Sequence, residues 1–165
     1  MLITAQECID LAFTNKNVNL ALLKNNFIEI AQEDHIRPVL GIKFYDELIT
    51  QSPFTADNQK VIDLLKPALA FYVKYEALPD LIIQLGNKGA RIPTDEFSIA
   101  VSNEQRSEFL RKIKSHGDSL ANKMIRFIED NRNKYPLYIR TVTVKSNFGG
   151  IIFDEEIFVS KEDER

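Results

Sequence analysis

Few side chains in this 165-residue sequence could do chemistry, and they do not converge on a reaction. Nucleophilic catalysis needs a nucleophile, a base and an orienting group. The chain has one cysteine, Cys8, and two histidines, His35 and His116, with no spacing that joins them. A lone cysteine cannot close an internal disulfide. The absence of CxxC or Cys/His spacing leaves no structural zinc site, which points to a reducing compartment. Gly86-Asn87-Lys88-Gly89 contains glycine and lysine but lacks the GxxxxGK[ST] spacing that wraps backbone N–H groups around phosphate. Glu155, Glu156, Glu162, Asp163 and Glu164 are not spaced like the alternating oxygen ligands and glycine turn of a calcium loop, so they read as a solvated acidic tail. The expectation is therefore a protein that is not an enzyme, with no catalytic residues, cofactor or metal. His35 reads as a helix-end cap or an exposed side chain, and His116 as a core-edge or interface histidine.

The elements that would position these residues are mostly helical. Thr4 and Glu7 have capping-box spacing, so a helix should start there and run to about Phe13, burying Cys8, Ile9, Leu11 and Ala12. After a polar turn at Thr14 to Asn17, Leu20, Leu23, Phe27, Ile30 and Ala31 recur at helical steps as far as about Asp34. Pro38 disfavours a helical Arg37 and Gly41 permits a left-handed turn, so His35 to Gly41 reads as a corner between helices. A short helix should follow with Phe44, Tyr45, Leu48 and Ile49 inward. Ser52-Pro53 ends it. Thr55 can cap the next helix, whose apolar positions include Val61, Ile62, Leu65, Leu69, Tyr72 and Val73. Pro67 lies inside that pattern, so the helix either kinks there, the favoured reading, or restarts with Pro67 in its first turn, and Pro79 poses the same question before Leu81, Ile82, Ile83 and Leu85. Gly86 is a plausible stop, and residues 86–96 are the most loop-like stretch of the interior.

Phe97, Ile99 and Val101 alternate with Ser98, Ala100 and Ser102 in a short strand-like period. Ser102 with Gln105 then opens the longest helical pattern, with Phe109, Ile113, Leu120, Met124, Phe127 and Ile128 on one side. Gly117 is its weak point, costing about 1 kcal/mol against alanine, and Pro136 closes it.

Length and composition fit one folded domain. A chain near this size buries roughly 70% of its unfolded surface, and 44% hydrophobic with 27% charged residues is ordinary for a globular protein. The start lacks the basic and apolar pattern of a signal peptide and no apolar run is long enough for a membrane span, so a soluble protein without membrane contact is expected. The net charge of −3 is unevenly placed. Residues 102–136 hold eight basic against five acidic residues, a net +3. From Asp154 onward six acids face Lys161 and Arg165, a net −4.

Beyond Pro136 the sequence turns rich in threonine and valine, then breaks at glycine. The reading is mainly α: a compact helical bundle over residues 1–136 with a short β-like segment, and an extended carboxy-terminal arm over 137–165. The arm is too short to build its own core, so its apolar residues need a partner. The candidate contact residues are Tyr138, Ile139, Val142, Val144, Phe148, Gly149, Gly150, Ile151, Ile152, Phe153 and Phe158.

Leu2-Ile3-Thr4, the helix ending Ile30-Ala31-Gln32-Glu33, and above all the corner His35-Ile36-Arg37-Pro38-Val39-Leu40-Gly41-Ile42-Lys43-Phe44-Tyr45-Asp46-Glu47-Leu48 resemble the head-to-tail connector, or adaptor, proteins of tailed bacteriophages. The likeness extends through Lys66-Pro67-Ala68-Leu69 and the late helix, covering most of the first 135 residues. The resemblance implies a structural virion protein at the head–tail junction, made in the host cytoplasm. It implies a homo-oligomeric ring, a dodecamer in the virion, between the portal protein and a downstream tail or connector protein. In that family the carboxy-terminal arm docks on the portal, and DNA passes through the ring with non-specific contact. A competing class is a helical nucleic-acid or regulatory binding module, suggested by the basic late helix. Its interleaved acids, including the i,i+4 pair Glu108 and Lys112, favour a solvated face instead.

Overall fold

Apolar residues at three- and four-residue steps become helices that close on one another in a computed structural model, which describes residues 1–13, 20, 23–82, 84–86, 89–91, 102–139, 141–148 and 151–158. The first helix, α1 (Ala5–Ala12), starts where its capping box predicts: the Thr4 side chain accepts from the Glu7 N–H, and the Glu7 carboxylate accepts from the Thr4 N–H. Cys8, Ile9 and Ala12 are buried. Leu11 was expected among them but is exposed, because it lies off the axis of that narrow stripe.

The second helix and the corner differ from expectation. Helix α2 (Asn25–Ala31) does not end near Asp34. It passes into a π-helical turn (Gln32–Ile36) and then α3 (Arg37–Leu40). Arg37 is helical after all, with its N–H donating to the carbonyl of Gln32, five residues back. A wider turn bonds past the usual i−4 partner, and Pro38 then falls in the first turn of α3, where its missing N–H costs nothing. The real break is at Gly41, whose φ of 75° lies in the region glycine favours. Of the expected apolar stripe, Leu23, Phe27 and Ala31 are buried, joined by Ile28, whereas Leu20 and Ile30 face solvent.

Helix α4 (Ile42–Thr50) buries Phe44, Tyr45 and Leu48, but Ile49, one residue beyond the buried stripe, is exposed. The Thr55 hydroxyl accepts from the Asn58 N–H and caps the long α5 (Ala56–Ile82). That helix runs on through Pro67 and Pro79 instead of restarting at either. It is the central element, contacting α1, α2, the π-turn and the last long helix. The core is built around its Val61, Ile62, Leu65, Ala68, Leu69, Tyr72 and Val73. After α5 a small antiparallel pair, β1 (Gln84–Gly86) and β2 (Gly89–Arg91), replaces the expected helical continuation to Leu85 and the start of the loop. The ladder runs from Gln84 opposite Arg91 to Gly86 opposite Gly89.

The strand expected over Phe97 to Val101 and the turn over Thr14 to Asn17 lie outside the described residues. The second capping box forms as predicted, with Ser102 accepting from the Gln105 N–H, and opens α6 (Asn103–Asp130). Ile113, Gly117, Ala121, Met124 and Ile128 are its buried positions. Phe109, expected on the same side, is 48% exposed. A 3-10 turn (Arg132–Lys134) follows, and the chain ends its described part in two strands, β3 (Thr141–Phe148) and β4 (Ile151–Phe158), paired antiparallel.

Gly117 is a seam, not a weak point. A Cβ there would lie 2.8 Å from Cε1 of Tyr72, so the absence of a side chain lets α6 approach α5. The Tyr72 ring is fixed from two other directions, by stacking on His35 at 4.4 Å and by donating to Asp118 Oδ1 at 2.8 Å.

Candidate interaction surface

The residues proposed for partner contact fall into two groups. Tyr138 belongs to the body: it is 3% exposed, with its ring edge-on to Phe44 at a centroid distance of 6.4 Å. Beside it Tyr135 packs on Phe44 and Phe127 and donates its hydroxyl proton to the Asp57 carbonyl. A side chain so enclosed by its own protomer cannot also serve a partner, so Tyr138 is corrected to a core residue. The last tether to the bundle lies beyond residue 136. Ile139 is half-buried, and its carbonyl oxygen would be 3.3 Å from a Cβ on Gly41.

Val142, Val144 and Phe148 fall in β3, while Ile151, Ile152, Phe153 and Phe158 fall in β4. The ladder runs from Thr141 opposite Phe158 to Phe148 opposite Ile151. Gly149 and Gly150, between the inner rungs, lie outside the described residues. Register sorts this ribbon by chemistry. The rungs Val142–Ile157, Val144–Glu155, Ser146–Phe153 and Phe148–Ile151 share one parity and are mostly apolar. The alternate rungs carry Thr141, Thr143, Lys145 and Asn147 with Phe158, Glu156, Asp154 and Ile152, and are mostly polar. The arm is thus a hairpin of alternating character, about 27 Å long at 3.4 Å per residue.

On the body, Ile42, at 54% exposure, and Ile49 lie one heptad apart on α4, and Leu137 is also exposed. Along α6, Lys112 pairs with Glu108 at 2.9 Å and Lys114 with Asp118 at 3.8 Å. Lys123, Arg126 and Arg132 are exposed and, among the described residues, form no ion pair. Sequence reading grouped all eight basic residues of this region together. The separating signal was partly present, since Lys123 has no acid three or four residues away on either side. An open depression at the start of α6 is lined by Asn103, Glu104, Ser107, Glu108 and Arg111, a mixed-charge surface without a convergent set of donors.

The densest polar cluster lies under the π-turn. His35 Nε2 is 2.8 Å from Glu76 Oε1 and the ring also meets Tyr75 edge-on. His35 is therefore neither a cap nor freely exposed; the π-turn carries it onto α5. Burial, reinforced by the bond to Asp118, pushes the Tyr72 hydroxyl well above its ordinary pKa. Next to this cluster, Glu33 accepts from both Arg37, at 2.6 Å, and Tyr45, at 3.0 Å. The Tyr45 hydroxyl is pushed up to about 12 by burial and then by its bond to Glu33. His35 ties the corner to α5 through Glu76 and Tyr72, whereas Arg37, bonded to Glu33, keeps its Nε buried without a hydrogen-bond partner. His116 sits at the rim of α6, edge-on to Phe71. Cys8 is enclosed, and burial raises its thiol to about 12. Among the described residues no three His, Cys, Asp or Glu side chains converge as metal ligands, and no helix is long and apolar enough to cross a membrane.

Fold and surface together define a mainly helical bundle, with a core that among the described side chains runs from Leu2 to Tyr138, and a carboxy-terminal β-ribbon. Residues 36–147 match the profile of a family of unknown function, DUF6712, and the chain belongs to that family. No curated protein and no solved structure matches it.

Proposed function

We propose that this chain is a structural virion protein, a head-to-tail connector that forms a ring between the capsid portal and the tail and leaves a passage for DNA. The observation that carries the reading is the ribbon beyond Ile139. Among the side chains whose burial the structure describes, the core runs from Leu2 to Tyr138, while the ribbon alternates apolar and polar rungs in two strands. A two-stranded hairpin is marginal in water unless its apolar side is covered, and each of its outer edges can accept a further strand. The corner from His35 to Leu48, the part of the sequence most like the connector family, supports the same reading. Repetition around a ring, twelve-fold in that family, would turn modest contacts into a stable joint.

The test is to mix the protein with the portal protein of its own virion and compare the full chain with a truncation after Ile139, which keeps Tyr135 and Tyr138 in the core. Loss of co-sedimentation on truncation is expected. Portal binding that survives the truncation would remove the arm from the joint. A second reading, a nucleic-acid binding module, is favoured by the exposed Lys123, Arg126 and Arg132. It requires an affinity for DNA that falls steeply and linearly in log–log form with salt.

A further inference from the structure

We infer that the basic outer face of late α6 is the seat for the acidic ribbon of a second copy of this chain, so that copies join head to tail. This deepens the ring reading and rests on it, but it requires no portal. Lys123 and Arg126 stand one turn apart on the solvent side of α6, and Arg132 follows in the 3-10 turn. Lys112 and Lys114 are paired, whereas among the described residues these cations form no ion pair, which leaves them able to meet an anionic surface.

The same chain carries the complement. Asp154 and Glu156 share the mostly polar parity of β4, Glu155 stands between them on the other, and Glu162, Asp163 and Glu164 follow the strand in the sequence. Residues 123–132 carry Lys123, Arg126 and Arg132 against Glu129 and Asp130, a net +1, and the chain from Asp154 onward carries a net −4. These two surfaces belong to different parts of the protomer. The ribbon leaves the body beside the Gly41 corner, with β3 touching α3, whereas Lys123 and Arg126 are exposed on α6, off the buried stripe of Ile113, Gly117, Ala121, Met124 and Ile128. Two unlike, complementary patches on one chain make a heterologous contact, the kind that closes into a ring when the rotation between copies permits.

Charge reversal with the full chain tests this. One variant carries Lys123→Glu, Arg126→Glu and Arg132→Glu; another carries Asp154→Lys, Glu155→Lys and Glu156→Lys. Association is read by sedimentation velocity at low salt, up to the highest soluble concentration, with circular dichroism confirming that each variant is folded. The wild type should associate in a salt-sensitive manner. Each variant alone should associate roughly tenfold more weakly. The equimolar mixture should recover, because every contact in an alternating assembly again pairs opposite charges. A wild type that stays monomeric throughout overturns the inference, as does a mixture no better than its components. If the α6 variant loses DNA binding but associates normally, the face serves nucleic acid instead. Self-association without portal binding would keep this contact and remove the connector reading; portal binding without the charge-dependent contact would do the reverse.

Discussion

At the scale of single residues, the clearest lesson is that a side chain's role depends on partners far along the chain. Gly117 is a poor helix residue by propensity, yet Gly117→Ala should destabilise the protein by about 1–2 kcal/mol in urea unfolding. The Cβ meets a Tyr72 ring pinned by His35 and Asp118, and overpacking outweighs the propensity gain of about 1 kcal/mol. His35 was equally opaque: its partner Glu76 lies 41 residues away, so only the tertiary fold shows that it is held and not exposed. Glu7 carries a pH signature. Its bond to Lys66, at 2.6 Å, is the largest influence holding its carboxyl below the usual carboxylate range. The unfolded chain therefore binds that proton more readily, so the contribution is present above the ordinary carboxylate pKa and is lost as pH falls through the lowered folded value. Thermal melts across that acidic window should show a shallower pH dependence for Glu7→Gln than for the parent, with the two converging at the acid end.

At the scale of elements, local chemistry was legible and long-range chemistry was not. Both capping boxes, Thr4 with Glu7 and Ser102 with Gln105, were readable because their partners sit three residues apart, and both form. Ser102→Ala should cost about 1 kcal/mol by chemical denaturation, and an unchanged midpoint would mean that the first turn of α6 frays without consequence. The Thr55 cap was legible for the same reason. The π-turn was not, since Pro38 argues for a break on local grounds, and only packing of Ile36 and Leu40 in the core rewards keeping Arg37 helical. Exposure of Ile30 and Ile49 follows from the same limit: helical spacing shows that a face is apolar, but its width is set by what packs against it.

At the scale of the whole molecule, the division into bundle and ribbon was visible as a change of composition after Pro136, whereas the join was not. It depends on Tyr138 meeting Phe44, a contact no local pattern announces. A truncation after Ile139 should therefore keep a cooperative thermal transition close to that of the full chain. One after Lys134, which removes Tyr135 and Tyr138, should lower the midpoint sharply or abolish the transition. Equal behaviour of the two truncations would place the join elsewhere. That join also sets the mechanical path through the protomer. A pull on the ribbon arrives first at Ile139 and Tyr138, braced against Gly41 and Phe44, and then at Tyr135, latched to Asp57 at the head of α5. Tension is thus handed across the bundle to α4 and α5, so that α6 is not peeled away turn by turn from its trailing end.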